Sequence, residues 1–508
     1  MLNRLFVVDS VTLTSTGTAV SSYTPWDQTT RKLPTQVVVK ATGQGAYVRL
    51  SNDASAATNA DVLVQGGDHV VLSVQGRRWV SVLSDGASST VNVGALSTGV
   101  SGSAASLDLV FVDAGVLDPR VTFTRASTAT YFNSAGVLTS AAINESRRDF
   151  DPATLAVRGL LIEEARTNSI RNNTMQGAVA GTPGTAPTNW GYYNPLTLST
   201  QVVGTGVSNG ITYVDIRVFG TAASSNVLSV NLDSSVFISA SIGQTWTSSV
   251  WTALVGGTTT NVSNVQIKSS ERDATNELGA TATNLPLTGT LVRSSATRTF
   301  TAAATIYALP YIAFNVTAGA IDITLRIGLP QLEQGAFATS VIPTTTTALT
   351  RNADQASVNT LSPWFNATAG TVYSEFVINS TAPTSGFPTA TSFNNGTINN
   401  RINPAYLNDA INALDYFVSD GGVAQVGLSS STYTAGNVAK MAAAYATNDF
   451  ALSTNGGAVL TDTSGTVPSV TAFNLGNQLN GNFLNGYLRR ITYYPRRLSN
   501  AELVSITS

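Results

Sequence analysis

Along most of the chain, apolar and polar residues alternate with a period of two. The plainest run is Ile321-Asp-Ile-Thr-Leu-Arg-Ile327. A period of two puts alternate side chains on one face, as in a half-buried strand. Residues 370–378, 70–74 and 79–83 repeat the pattern. Gly, Asn, Asp and Pro break the runs at hairpin spacing. Residues 36–40, 46–50, 61–64, 69–74 and 78–82 are strand candidates of a first unit, a small β-sandwich or barrel over 1–106. Residues 213–218, 226–230, 245–251, 264–267, 297–306 and 321–327 are candidates of a second unit over 170–345, with the turn spacing of a jelly-roll sandwich. A third unit over 346–508 opens at 370–378. Trp246 and Trp251 are an odd number of positions apart on one strand, so they face opposite sides and at most one points to the core. Residues 97–106 (STGVSGSAAS) read as a linker. Residues 344–356, Thr-rich until Arg351-Asn-Ala-Asp354, read as a connector. At the end, Ser499 precedes Glu502 by three positions, the spacing of a capping box on a short helix.

Composition sharpens this all-β, multidomain picture. The chain has 508 residues, of which 11% are charged, against about 25% in ordinary soluble domains. The formal net charge is −2, and no basic stripe offers a nucleic-acid footprint. No run reaches the ~18 apolar residues of a membrane helix. Asp9 and Ser10 interrupt the only apolar start, so no secretory h-region is expected and synthesis in a cytoplasm is. There is no cysteine and a single histidine. This excludes disulfides and thiolate zinc sites. His69, in a turn at a strand start, reads as structural, which leaves no base for a Ser-His-Asp or Cys-His scheme. No cofactor motif appears. Asp415, Asp420, Asp449 and Asp462 form no recognisable calcium loop, so no metal site is expected.

Charge is concentrated in 107–169, and above all from Arg120 to Asn168. Asn133-Ser-Ala-Gly136 and Asp151-Pro152 are turns there, and Gly159-Leu-Leu-Ile162 is a short apolar strand. Two readings of the charges compete. In one, Glu163, Glu164, Asp149 and Asp151 are catalytic carboxylates. In the other, Arg125, Arg147, Arg148 and Arg166 pair with them as a clamp between domains, since guanidinium–carboxylate pairs are directional. The clamp is the reading adopted, with no catalytic residue. It predicts that Arg166 meets Asp149, Asp151 or another carboxylate of the segment. Candidate glycan contacts are Trp190, Tyr192 and Tyr193, because flat rings stack on sugar faces. The alternative is that these rings cover one end of the sandwich. The loops around Asn395 and Asn455 are further candidates.

Three resemblances add to this. The elements FTRAS-TATY, G-VL, the N-x-x-R-x-D turn, DP-T and GLLIEEARTN in 120–168 resemble a recurrent segment of bacteriophage fibre and spike proteins. That segment usually precedes a carbohydrate-binding-like jelly roll, which 328–344 resembles at its close. Residues 440–445, 449–457 and 486–503 resemble concanavalin A-like, laminin-G-like sandwiches. The first unit loosely resembles modules that dock phage fibres on a capsid or tail. The resemblances imply a virion-surface protein with other virion proteins as partners through 1–106, host-surface polysaccharide as ligand, and a homotrimer. Three function classes stand side by side: a glycan-adhesive fibre, a polysaccharide depolymerase with two carboxylates, and an architectural decoration protein. The first is the expectation carried forward.

Overall fold

The structure, a computed structural model, describes residues 6–15, 20–23, 36–51, 62–65, 69–73, 79–97, 105–113, 116–233, 238–380, 387–408 and 411–508. Most of the 97–106 linker and the turn before His69 lie outside the described residues. The chain forms two compact units, Met1–Ala105 and Ser106–Ser508. In the first, Phe6–Ser15, Val20–Tyr23, Gln36–Ser51, Val62–Val64, His69–Ser73 and Trp79–Ser97 make one antiparallel sheet. The candidates at 36–40 and 46–50 are halves of a single strand, Gln36–Ser51. Gly43 and Gly45, between those halves, mark a register shift rather than a turn, since glycine in a strand often marks a bulge.

The second unit holds two β-sandwiches. The jelly-roll part, 170–345, has a six-stranded and a five-stranded antiparallel sheet. Val214, Ile216, Ile267, Phe314, Ile323 and Leu325, all fully buried, fill the space between them. The C-terminal sandwich has an eight-stranded and a seven-stranded sheet. Both sheets take strands from the charged segment. Leu107–Val110, Arg148–Phe150 and Val157–Ile162 join the eight-stranded sheet, and Thr122–Thr124 joins the seven-stranded one. Leu107, Leu109, Leu160 and Ile162 accordingly pack in the C-terminal core with Phe376, Phe393, Phe473 and Tyr493. The jelly roll thus stands, in sequence, between two strands of the other sandwich, Val157–Ile162 and Gln355–Val358. The chain enters it through Arg166–Asn168 and leaves through Leu349–Arg351, and these two strands pair antiparallel, Arg166 opposite Arg351. A two-stranded neck therefore carries the connection.

Two expectations need correcting, and a third, on Trp246 and Trp251, holds with an addition. Residues 297–306 are not one strand. Val292–Thr299 ends there and Tyr307–Val316 begins. Between them the backbone N–H groups of Thr301 and Ala302, and the Thr305 hydroxyl, donate to the buried Glu271 carboxylate at 2.8–3.1 Å. Satisfying a buried charge takes those donors out of a ladder. Next, Trp246 and Trp251 do face opposite sides, but both are buried. Trp246 enters the jelly-roll core, whereas Trp251 is covered by the hairpin Ala129–Phe132/Leu138–Ala141, with Phe132 edge-on at 5.6 Å. Finally, Trp190 is buried, and its indole N–H donates to the Asn172 carbonyl at 2.9 Å. It has no face free to stack on a sugar.

The predicted turns form through their side chains. Asn133 Oδ1 accepts the N–H of Ala135 and Val137, and Asp151 Oδ1 accepts those of Ala153 and Thr154. The one helix of the described residues, Asn500–Thr507, starts in the Ser499/Glu502 capping box. No helix among them is long and apolar enough to cross a membrane.

Candidate functional site: a buried ionic joint and two flanking clefts

The low charge of the chain makes the one dense ionic cluster among the described residues conspicuous. Val157–Ile162 delivers Glu163 to the neck, and the neck strand Leu349–Arg351 delivers Arg351 and, three residues on, Asp354. Arg125 follows Thr122–Thr124, and Arg147 precedes Arg148–Phe150. All five side chains are buried, none more than 5% exposed. Arg125 Nη1 meets Asp354 Oδ1 at 3.0 Å. Arg147 bridges Asp354 and Glu163, the latter at 2.8 Å. Arg351 meets Glu163 at 3.0 Å.

Burial alone makes each charge costly, so the leftover donors and acceptors matter. Glu163 N–H donates to Asp354 (2.9 Å), and Ser340 N–H and Oγ donate to Glu163 (2.8 and 2.7 Å). Arg125 also reaches the Ser127 and Ala142 carbonyls. Ser340 belongs to the jelly roll and the remaining groups to the C-terminal sandwich and neck, so the network ties the sandwiches together. Burial pushes the Glu163 carboxyl up, but Arg351, Arg147 and the Ser340 hydrogen bonds outweigh it and leave it at about 2. Such a carboxylate stays ionised near neutrality and is unsuited to general acid work.

The other clamp candidates form satellites. Arg166 pairs with Glu164 (2.5 Å) and lies over the Phe337 ring at 4.8 Å. It does not meet Asp149 or Asp151, which take Arg158 instead at 3.3 and 2.8 Å. Asp149 also accepts the Phe132 N–H (2.7 Å) and the Tyr487 hydroxyl (2.9 Å). Burial nevertheless leaves the Asp149 pKa raised. Arg148 donates to the Val112 carbonyl. Gly335, at φ +141°, lies against Arg166 so closely that a Cβ would overlap the guanidinium. Sequence reasoning overlooked Asp354, Arg351 and Arg158 as members. The signal available was two charges inside the otherwise neutral, Thr-rich connector.

Two clefts flank the joint. The larger, about 790 Å³, is floored by Trp246 and Phe483 and walled by Gln244, Thr245, Thr350 and Asn482, with Arg166–Glu164 at one side. Its walls come from both sandwiches and the neck. The Asn482 wall is held in an unusual backbone. Leu479, Asn480, Asn482 and Asn485 all have φ between 47° and 62°, the left-handed region in which a leucine is strained. The second cleft, about 510 Å³, is lined by Tyr131, Asp149, Arg158, Arg293, Asn379 and Tyr487 among others.

The five predicted glycan contacts are not brought together. Tyr192 is partly buried against the jelly-roll core, which pushes its hydroxyl pKa up to about 12. Tyr193 is 58% exposed. Asn395 follows a strand of the seven-stranded sheet, and its Oδ1 accepts from Thr397. Asn455 follows a strand of the eight-stranded sheet, and its Oδ1 accepts the Lys440 N–H at 2.9 Å. None of the five lines either cleft.

Fold and site together define a multidomain, all-β protein of packed sandwiches. No family model matches the chain, and no curated protein does. Solved structures that resemble it include the tripod from the baseplate of bacteriophage Tuc2009, at TM-score 0.25 and 13% identity, covering 63% of this chain and 100% of that one. Trypanosoma rangeli sialidase in complex with sialic acid gives 0.23 and 9%, covering 77% and 98%. Mouse laminin alpha1 chain, domains LG4-5, gives 0.20 and 10%, covering 58% and 97%. Likeness at this level reflects shared β architecture and carries no function across.

Proposed function

We propose that this chain is a virion-surface fibre or spike component of a bacteriophage that adheres to host-surface glycans without cleaving them. The observation that carries the reading is the larger cleft. Hydroxyls and carboxamides surround the half-buried Phe483 ring there, beside the edge of the buried Trp246, and the single charged pair is internally neutralised. Sugars need that combination: rings for the apolar face, and neutral donors and acceptors for hydroxyls. The Gln244 side-chain oxygen already accepts the Ser241 N–H and the Trp246 indole N–H at 3.0 and 3.1 Å, which leaves its NH₂ for a ligand. The joint supports the same reading, because a groove with walls from two sandwiches is a fixed shape only if those sandwiches are locked. The resemblance of 120–168 to phage fibre segments covers Arg125, Arg147 and Glu163, three of the five charged residues of the joint.

In this reading residues 1–106 dock the chain on the particle and three copies assemble. The edge strand Ser199–Ser208 exposes Val203 and Val207, apolar edge positions that a second copy would cover. Repetition then supplies avidity to weak single sites. The test is a glycan array with the full chain, paired with a viscosity assay on each polymer bound. Binding without loss of viscosity is expected. Depolymerisation abolished by Glu164→Gln in a folded protein would replace this reading with an enzyme, and no binding to any glycan would leave only an architectural role.

A further inference from the structure

The smaller cleft carries more charge than the larger one, three carboxylates and three guanidiniums, and one of the guanidiniums is not ion-paired. Three carboxylates line it and each is already held: Asp149 and Asp151 by Arg158, and Glu163 by Arg147 and Arg351. Of its three guanidiniums, Arg158 is thereby occupied and Arg489 meets Glu375 at 2.8 Å. Arg293 remains. It extends from the edge strand Val292–Thr299, and among the described residues it forms no ion pair. Nη1 donates to the Thr339 carbonyl at 2.6 Å and Nη2 to Ser249 Oγ at 2.9 Å, while Nε is buried without a partner. A guanidinium has five N–H donors, so three are unused. Burial disfavours its charge, and the more distant carboxylates of Glu333 and Glu163 offset only part of that. The cleft also has neutral groups with capacity to spare. The Tyr131 hydroxyl and the Asn379 carboxamide line the same cleft, and neither makes a hydrogen bond among the described residues.

We propose that this cleft binds an acidic sugar of the host glycan, with the carboxylate of a uronic acid residue on Arg293 and its hydroxyls on Tyr131 and Asn379. The proposal rests on the adhesion reading and names the chemical class of ligand. A carboxylate is monoanionic and planar, which suits one guanidinium with free N–H groups. A sugar phosphate presents the same oxyanion chemistry, but its second charge calls for a further free cation, and Arg158 and Arg489 are already paired. The neutral cleft beside Trp246 then takes the uncharged residues of the same polymer.

The test is titration calorimetry on the full chain with three probes: an oligogalacturonate, its methyl ester, and galactose 6-phosphate. The acid should bind at least ~10-fold more tightly than the ester, the scale of one charge-assisted hydrogen-bonded contact. Arg293→Gln should erase that difference by lowering affinity for the acid. Should Arg293→Gln fail to fold, Tyr131→Phe, which removes only a hydroxyl at the cleft wall, should weaken the acid a few-fold (about 1 kcal/mol). Equal affinity for acid and ester, or full acid affinity in folded Arg293→Gln or Tyr131→Phe, would overturn the assignment. Preference for the sugar phosphate would overturn the carboxylate. A chain that captures neutral glycan and ignores all three probes would refute this inference alone, whereas one that binds no saccharide would refute the adhesion reading with it.

Discussion

Asp354→Asn is the substitution to which the joint should be most sensitive. Asp354 receives Arg125 at 3.0 Å, Arg147, and the Glu163 N–H at 2.9 Å, and its side chain is fully buried. Asparagine keeps the shape, removes the charge, and turns one oxygen into an NH₂ group facing donors. Arg147 and Arg351 would then share Glu163, and the buried Arg125 would lose the carboxylate it pairs with. Removing one partner of a buried ion pair costs about 3–5 kcal/mol, because the other charge stays in a medium that does not solvate it. Unfolding entropy is about 2.1 cal/mol/K per residue, so about 400 residues melting together give roughly 0.8 kcal/mol/K. A loss of about 4 kcal/mol therefore lowers the melting temperature by about 5 °C. Differential scanning calorimetry of the wild-type and Asp354→Asn chains checks this. The transition of the 106–508 unit should fall by that amount, or split if the sandwiches uncouple. A melting temperature within about 1 °C of wild type, corresponding to less than about 1 kcal/mol, would refute the idea that these charges hold the sandwiches together.

Two further outcomes follow from the same structure. The Glu163 carboxyl lies at about 2 in the folded protein against its ordinary 4.5, a depressed value, so the stability it contributes is complete above about pH 5 and is lost as the pH falls towards 2. The full difference is worth about 3 kcal/mol, of which about 2 is lost by pH 3, so in denaturant unfolding from pH 7 to 3 wild type should lose about 2 kcal/mol more than Glu163→Gln. Light scattering on the full chain should give three times the chain mass, and a monomeric mass at micromolar concentration would contradict assembly of the free chain.

Much of the architecture was legible where local pattern and burial agree. Ile321 to Ile327 alternates because one face of that strand meets the jelly-roll core. Asn133, Asp151 and Ser499 announce turns and a cap because their side chains bond the backbone within four residues. Tyr307–Val316 was not legible as a strand. It is buried over most of its length, so it does not alternate, and it contains Pro310. Trp190 looked exposed because its neighbours are polar, but a carbonyl at Asn172 satisfies its indole and allows burial. The clamp was half legible. Its arginines and Glu163 are close in sequence, whereas Asp354 meets Glu163 only after the chain has traversed the whole jelly roll, and no local pattern encodes that encounter. The clefts were not legible at all, because their walls are assembled from strands and loops far apart in the chain.

The most direct measurement is a crystal structure of the full chain with a fragment of host-surface polysaccharide bound. The account predicts a sugar ring against Phe483 in the cleft beside Trp246, with hydroxyls on Gln244, Thr245 and Asn482 and no cleaved bond. Sugar seated on Tyr193 or the turns at Asn395 and Asn455, with the interdomain cleft left to solvent, would contradict it.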